Sequence, residues 1–380
     1  MDAIMYNKRV PLIKVSIEDG QIVTVEDIFN TNLLPIILQT EEGPPEIDKL
    51  NEWFKKRMIP ENRDGLRQTM SLFPDFSRVR GNMLGLSDQY WFQFDPSESW
   101  DDLNYFTHIY DQTTGTAFFT PWVFEKDQKF PPSPDLTTNG ALKKTWEQQA
   151  DMTSHLIKAG NRRLHQEPIT EVLASAILKK MNIIPFVSYK LRVKGMVMCS
   201  ECANFIDENT EFVPASHIYF KKKRTDRETV YSHLIRMCDL YEIEGAQQYI
   251  DSMITADHIM GNDDRHLGNF GFIRDAETGR ILRFAPLFDS GSAYGGKTNR
   301  VNKQRLFDPQ KDEALRKNIE KINAGFFDHR ELFDLITLYP DINKKQREFI
   351  KNRIITAEKE VEKELARMKA RGLAPAFISR

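Results

Sequence analysis

The sequence predicts an α+β protein: a small β-rich segment followed by a larger helical one, behind an N-terminal accessory region. Three features predict it. Short apolar runs at 154–160, 187–193 and 195–199 have strand length and are bounded by turn residues. From about Thr225 to residue 370, helical spacing dominates. Ahead of both stands Lys126-Asp-Gln-Lys-Phe-Pro131-Pro132-Ser-Pro134, whose composition is that of a linker. The expected segments are 1–125, 131–220 and 221–380.

At 380 residues the chain is long enough for about two or three cores. Its 53 basic and 55 acidic side chains leave a net charge of −2, which predicts neither a nucleic-acid partner nor an acidic membrane surface. The basic run Lys221-Lys222-Lys223-Arg224 reads as a solvated loop. No apolar stretch is long enough to span a bilayer, and the first twenty residues lack the apolar core of a signal peptide. Three cysteines make no disulfide framework, so a reducing, cytoplasmic setting is expected. Cys199 and Cys202 form a single C-x-x-C; without a second such pair they read as strand residues rather than zinc ligands.

In the accessory region, Leu12–Ile17 and Ile22–Val25 flank Asp19-Gly20, a hairpin signal. Ile47, Leu50 and Phe54 mark a short amphipathic helix, and aromatics crowd between Tyr90 and Tyr110. After the linker, the stretch Thr137-Thr-Asn-Gly140-Ala-Leu-Lys-Lys144-Thr-Trp146 is a small-residue turn with two lysines. Its backbone N–H groups suit phosphate oxygens. A strand follows, carrying Lys158 near its end. Ile169, Val172, Leu173, Ala176 and Ile177 then make a helical stripe, with Pro168 and Glu171 in the first turn. A strand Lys followed by a helical Glu is how α- and β-phosphates are held in phosphoryl-transfer enzymes, the Glu orienting the Lys. The long C-terminal helix carries a stripe of Ile350, Ile354, Ala357, Val361, Leu365 and Met368.

The richest segment runs from Asp257 to Tyr294. Tyr249, Ile250, Met253, Ile254 and Met260 predict a helix over 246–260, ended by Gly261-Asn262. Asp264-Arg265-His266-x-x-Asn269 comes next. Two short strands around the turn Asp275–Gly279 then lead to Phe288-Asp289-Ser290. A hairpin brings its two ends together, so Asn269 and Asp289 are expected side by side. One carboxylate, one amide and nucleotide phosphates are enough oxygen ligands for Mg²⁺. Asp264 is then placed to take a proton from a hydroxyl.

These residues resemble the HipA-like serine/threonine kinases, which are related in fold to lipid and phosphoinositide kinases and share the order Asp-Arg-His-x-x-Asn. The resemblance covers about residues 130–380 and includes Asn139–Lys144 as the phosphate loop. It implies a bilobal, protein-kinase-like fold and the use of ATP and Mg²⁺ on protein Ser or Thr. Asp264 would be the base, Arg265 and His266 would shape its loop, and Asn269 and Asp289 would hold metal. Gly140, Lys158, Glu171 and the hinge residue Phe205 would bind nucleotide. It also implies an antitoxin-like protein partner, and phosphorylation of the chain's own loop at Thr137, Thr138 or Thr145. Two other readings stay open. A metal-dependent phosphohydrolase would use Asp257, His258, Asp263, Asp264 and His266, and a non-catalytic module would hold only nucleotide or a partner.

Overall fold

Asp19 and Gly20 both take left-handed backbone angles, φ 49° and 78°, and turn the first hairpin as the sequence expects. The computed structural model describes residues 1–73, 81–125, 127–160, 165–295, 307, 310–318, 321–322 and 329–370. Strands β1 (Asp2–Asn7), β2 (Val10–Glu18) and β3 (Gln21–Ile28) lead into helices α1 (Ile47–Lys56) and α2 (Leu66–Leu72). Then come β4 (Tyr90–Gln93), α3 (Trp100–Leu103), α4 (Thr113–Phe119), β5 (Lys144–Gln148), β6 (Ser154–Ala159) and α5 (Glu167–Met181). Strands β7 (Lys190–Lys194), β8 (Val197–Ala203) and β9 (Thr210–Pro214) precede helices α6 (Ala215–Tyr219), α7 (Val230–Leu240) and α8 (Ala246–Met260). The hairpin β10 (Gly271–Asp275) and β11 (Ile281–Phe284) is followed by α9 (Lys311–Asn318), α10 (His329–Leu338) and α11 (Lys344–Ala370).

The chain divides into two compact units. The first comprises Met1–Ala159, Val193–Lys221 and Gly271–Arg283; the second comprises Gly160–Arg192, Lys222–Phe270 and Phe284–Arg380. The first holds three sheets, ordered β3-β2-β1-β4, β5-β6-β8-β7 and β11-β10-β9, with β7 entered from the second unit.

Residues 1–125 cover both faces of the β5-β6-β8 sheet. Strand alternation puts Ile157 and Ala159 on one face, where Leu66, Phe73, Ala117, Phe118 and Phe119 pack. Leu156 and Trp146 lie on the other, against Leu84, Leu86, Trp91, Trp100 and Tyr105. The expected linker is not free. Phe130 is buried, with its ring 5.0 Å from Phe73 and 6.1 Å from Phe124, and Pro134 and Asp135 start a buried 3-10 turn. An aromatic ring just ahead of two prolines found a core, and its burial outweighs the local preference for an extended spacer. Lys126 lies outside the described residues.

A buried ion pair ties the hairpin into this unit. Arg274 donates to Glu211 at 2.8 Å, to the Tyr90 hydroxyl at 3.0 Å, and to the carbonyls of Leu34 and Asn32. Cys199 and Cys202 are buried thiols three apart on β8, so they face opposite sides of the sheet and share no metal.

In the second unit α5 is buried nearly all round, from Glu167 to Met181. Helix α8 is likewise buried and ends at Gly261, φ 65°, as the sequence predicts. Ile350, Ile354, Ala357 and Val361 of α11 are buried, and the side chains of Leu365 and Met368 lie outside the described set. No helix among the described residues is long and apolar enough to cross a membrane.

Candidate active site

In the second unit the left-handed cap at Gly261 ends α8 and throws the chain into the Asp264 loop. Asn262 turns back, its backbone N–H donating to the Asp257 carbonyl at 2.9 Å and its side chain to the Asp257 carboxylate at 2.8 Å. Arg265 is the hub of the loop. Its guanidinium meets Asp257 as a two-pronged pair, Nε–Oδ2 2.9 Å and Nη2–Oδ1 3.0 Å. Its Nη1 donates to the carbonyl of Asn269 at 2.9 Å and to that of Phe288 at 2.6 Å, and its Nη2 reaches the Ser290 hydroxyl. One side chain therefore ties together Asp257, Asn269 and the residues flanking Asp289. Burial alone would pull this guanidinium's pKa down; the surrounding acidic groups, Asp257 foremost and then Asp289, more than offset it and raise it.

Asn269 closes the loop on itself. Its Nδ2 donates to the Asp264 carbonyl at 3.0 Å, and its Oδ1 accepts the His266 N–H at 3.0 Å. An amide oxygen has two lone pairs, so this Oδ1 keeps one for a cation. His266 is exposed, and its Nδ1 accepts the Gly268 N–H at 3.0 Å. The ring shapes the turn.

Asp289 sits at φ 56°, a left-handed conformation unusual outside glycine. Its flanks are held by α5. The Glu171 carboxylate accepts the Ser290 N–H at 2.9 Å, and the Thr170 hydroxyl donates to the Gly291 carbonyl at 2.7 Å. A parallel bridge between Phe186 and Leu287, and a hydrogen bond from the Tyr249 hydroxyl to the Ala285 carbonyl, fix the approach to Asp289. The structure thus joins Asp264, Arg265, Asn269, Glu171 and the two neighbours of Asp289, Phe288 and Ser290, in one hydrogen-bonded set. In it Glu171 grips backbone beside Asp289, a contact that the spacing alone did not suggest.

Gly140, Lys158 and Phe205 belong to the first unit. Lys158 lies on β6 opposite Lys144 and Ser200 and is 9% exposed. Gly140 has φ +97°, a backbone conformation that residues other than glycine rarely adopt, so the turn favours glycine. Phe205 is half-buried and packs edge-on against Phe212 at 5.8 Å. Thr138 donates to the Pro134 carbonyl, and Thr145 is buried with its hydroxyl on Asp135 at 3.1 Å.

Asp135 itself is fully enclosed. Burial pushes its carboxyl up to about 7, although the Trp146 N–H and the Thr145 hydroxyl favour its charged form. A carboxyl raised from about 4 in the unfolded chain holds an extra proton in the fold between about pH 4 and 7. Its contribution to stability therefore falls as pH rises through that window, by at most about 4 kcal/mol. His217 opposes it: burial pushes its imidazole down to about 4, so stability is lost as pH falls below about 6.5. Asp135→Asn removes the first of these opposing dependences and leaves the second in place. Relative to wild type, the thermal midpoint of Asp135→Asn should climb between pH 5 and pH 8. A difference independent of pH contradicts the assignment.

Sequence reasoning gave Asp257 no part in this arrangement, and Thr170 and Ser290 none at all. The available signal was an Asp on the buried face of an apolar helix, which must find a cation. The phosphohydrolase reading loses its ligand set. Among the described residues no three His, Cys, Asp or Glu side chains gather as a metal site, and Asp257 is taken by Arg265.

The fold is α+β and kinase-like, with the likeness falling on HipA-type kinases. Among solved structures, HipA of Shewanella oneidensis MR-1, determined with HipB and its operator DNA, superposes with a TM-score of 0.57 at 11% identity. That match covers 95% of this chain and 97% of HipA. The Helicobacter pylori proinflammatory kinase CtkA superposes with a TM-score of 0.52 at 16% identity, over 62% of this chain and 94% of CtkA. By sequence, the serine/threonine-protein kinase CtkA of H. pylori strain J99 is 24% identical over 143 residues. That alignment spans 37% of this chain and 40% of that relative. No family model matches the chain.

Proposed function

We propose that the chain is an ATP- and Mg²⁺-dependent protein serine/threonine kinase of the HipA-like type. The observation that carries this reading is the Arg265 guanidinium, which holds the carbonyl of Asn269 and that of Phe288 at once. It fixes a candidate base and two candidate metal ligands relative to one another. An amide oxygen at 269 and a carboxylate at 289 are the hard oxygen donors that Mg²⁺ takes alongside water and phosphates.

Mg·ATP, when bound, supplies the phosphoryl group. Asp264 would accept the proton of the attacking Ser or Thr hydroxyl, and Asn269 and Asp289 would hold the cation. Glu171 keeps Asp289 oriented through the Ser290 N–H, and Lys158 supplies positive charge to the phosphates with Gly140 in the loop above it. Phe205 is the proposed adenine contact. HipA is seen with HipB, and an antitoxin-like protein is proposed as a partner here on that analogy. If the chain modifies its own loop, Thr145 is the least suited acceptor, since a phosphate there would crowd the buried Asp135. Thr137 and Thr138 are better exposed.

The test is incubation of wild-type protein with γ-labelled ATP and Mg²⁺ in cell extract. Label should pass to protein, should survive acid as phospho-Ser or phospho-Thr, and should vanish when EDTA removes the cation. An extract in which label appears only as free phosphate contradicts the reading.

A further inference from the structure

We propose that Arg63 is a positioning residue for the phosphate loop; this rests on the kinase reading above. Arg63 stands 75 residues before Thr138 of the loop, in the region that the sequence marks only as accessory. Its Nε donates to the Gly140 carbonyl at 2.7 Å and its Nη2 to the Thr138 carbonyl. The next residue extends the grip: the Asp64 N–H donates to the Ala141 carbonyl at 2.8 Å. Gly65, φ +88°, makes the approach possible, since a Cβ there would lie 3.1 Å from Lys143 and 3.3 Å from the Phe118 carbonyl.

The effect on the loop comes from peptide geometry. In a planar trans peptide the C=O and the N–H point in opposite directions. With the carbonyls of Thr138, Gly140 and Ala141 turned toward residues 63 and 64, the N–H groups of Asn139, Ala141 and Leu142 face the other way. Among the described residues none of those three N–H groups donates a hydrogen bond. Successive N–H groups turned to one side form a concavity for anionic oxygens. The Lys143 side chain is folded back over the Phe119 ring at 5.5 Å, so it closes the side of the loop nearest residues 63–65. Arg63 is itself 3% exposed, and burial draws its guanidinium down to about 10, so it is a committed interior group rather than a surface cation.

The test compares wild type with Arg63→Met, which keeps the stem and removes the donors, and with Arg63→Lys, which restores a cation with fewer donors. Amide hydrogen exchange without nucleotide should speed up at 138–142 in Arg63→Met, while β6 and β8 exchange as in wild type. The KM for Mg·ATP should rise about tenfold with kcat within about twofold, and Arg63→Lys should recover part of the loss, as for two carbonyl hydrogen bonds removed from a preorganised site. Unchanged exchange and KM in Arg63→Met overturn the proposal. So does a uniform rise in exchange across the sheet with kcat and KM both degraded, which is a folding defect. Wild-type protein that neither binds nor uses Mg·ATP sinks the kinase reading instead. The exchange at 138–142 then still decides whether Arg63 holds the loop.

Discussion

Asp264→Asn should lose about 10³-fold or more in kcat for phosphoryl transfer while keeping the wild-type thermal midpoint, because a general base contributes about 10²–10⁴-fold. The two halves of this expectation come from different atoms. The loop is shaped by the backbone of residue 264, whose carbonyl accepts from Asn269 and whose N–H donates to Asn262 at 3.3 Å. An amide side chain leaves those backbone bonds in place and removes the carboxylate proton acceptor. Asp289→Asn should fall as far by a separate route, through weaker cation binding, and should regain part of its rate at high Mg²⁺; Asp264→Asn should not. Labelled-ATP assays across a Mg²⁺ titration distinguish the two. An Asp264→Asn protein within about tenfold of wild type removes the base assignment.

The second large effect falls on stability. Arg265 and Asp257 are both buried, with side chains 4% and 8% exposed. Arg265→Leu leaves the Asp257 carboxylate enclosed with, among the described residues, the Asn262 amide as its side-chain donor. Breaking one side of a buried pair costs about 3–5 kcal/mol. The double variant Arg265→Leu with Asp257→Leu should recover much of that loss, because no charge is stranded, yet remain inactive because the carbonyls of Asn269 and Phe288 are no longer tied together. Urea unfolding followed by circular dichroism at 222 nm is the appropriate readout. All five tryptophans lie before residue 159, so their fluorescence reports only the first unit. A double variant no more stable than Arg265→Leu contradicts this account.

Local features of both fold and site were readable from the chain. Helix α8 and its Gly261 cap, the turn at Asp19-Gly20, and the hairpin between Asp275 and Gly279 all arise from periodicity and turn chemistry over a few residues. Hairpin geometry leads to the expectation that Asn269 and Asp289 lie side by side; Arg265 joins the carbonyl of Asn269 to that of Phe288, the residue before Asp289. What the sequence hid was long-range. Nothing in the Arg63-Asp64-Gly65 turn declares that it binds carbonyls at 138–141. Nothing in β10 announces β9 as its neighbour, or Glu211 as the partner of Arg274. The linker expectation failed for the same reason: Phe130 is read locally among prolines and lysines, but its fate is decided by Phe73, 57 residues away. Periodicity records which face is buried; it carries no label for what buries it.

The Arg274 ion pair has a consequence for how the molecule is made. A ribosome delivers Tyr90 and Glu211 well before it delivers Arg274, at about 5–20 residues per second. Until then the nascent chain has a carboxylate with no counter-charge at the place where its first unit must close, and β9 has no β10 beside it. The sheet of β9, β10 and β11 therefore cannot be completed until α7 and α8 of the other unit have been translated.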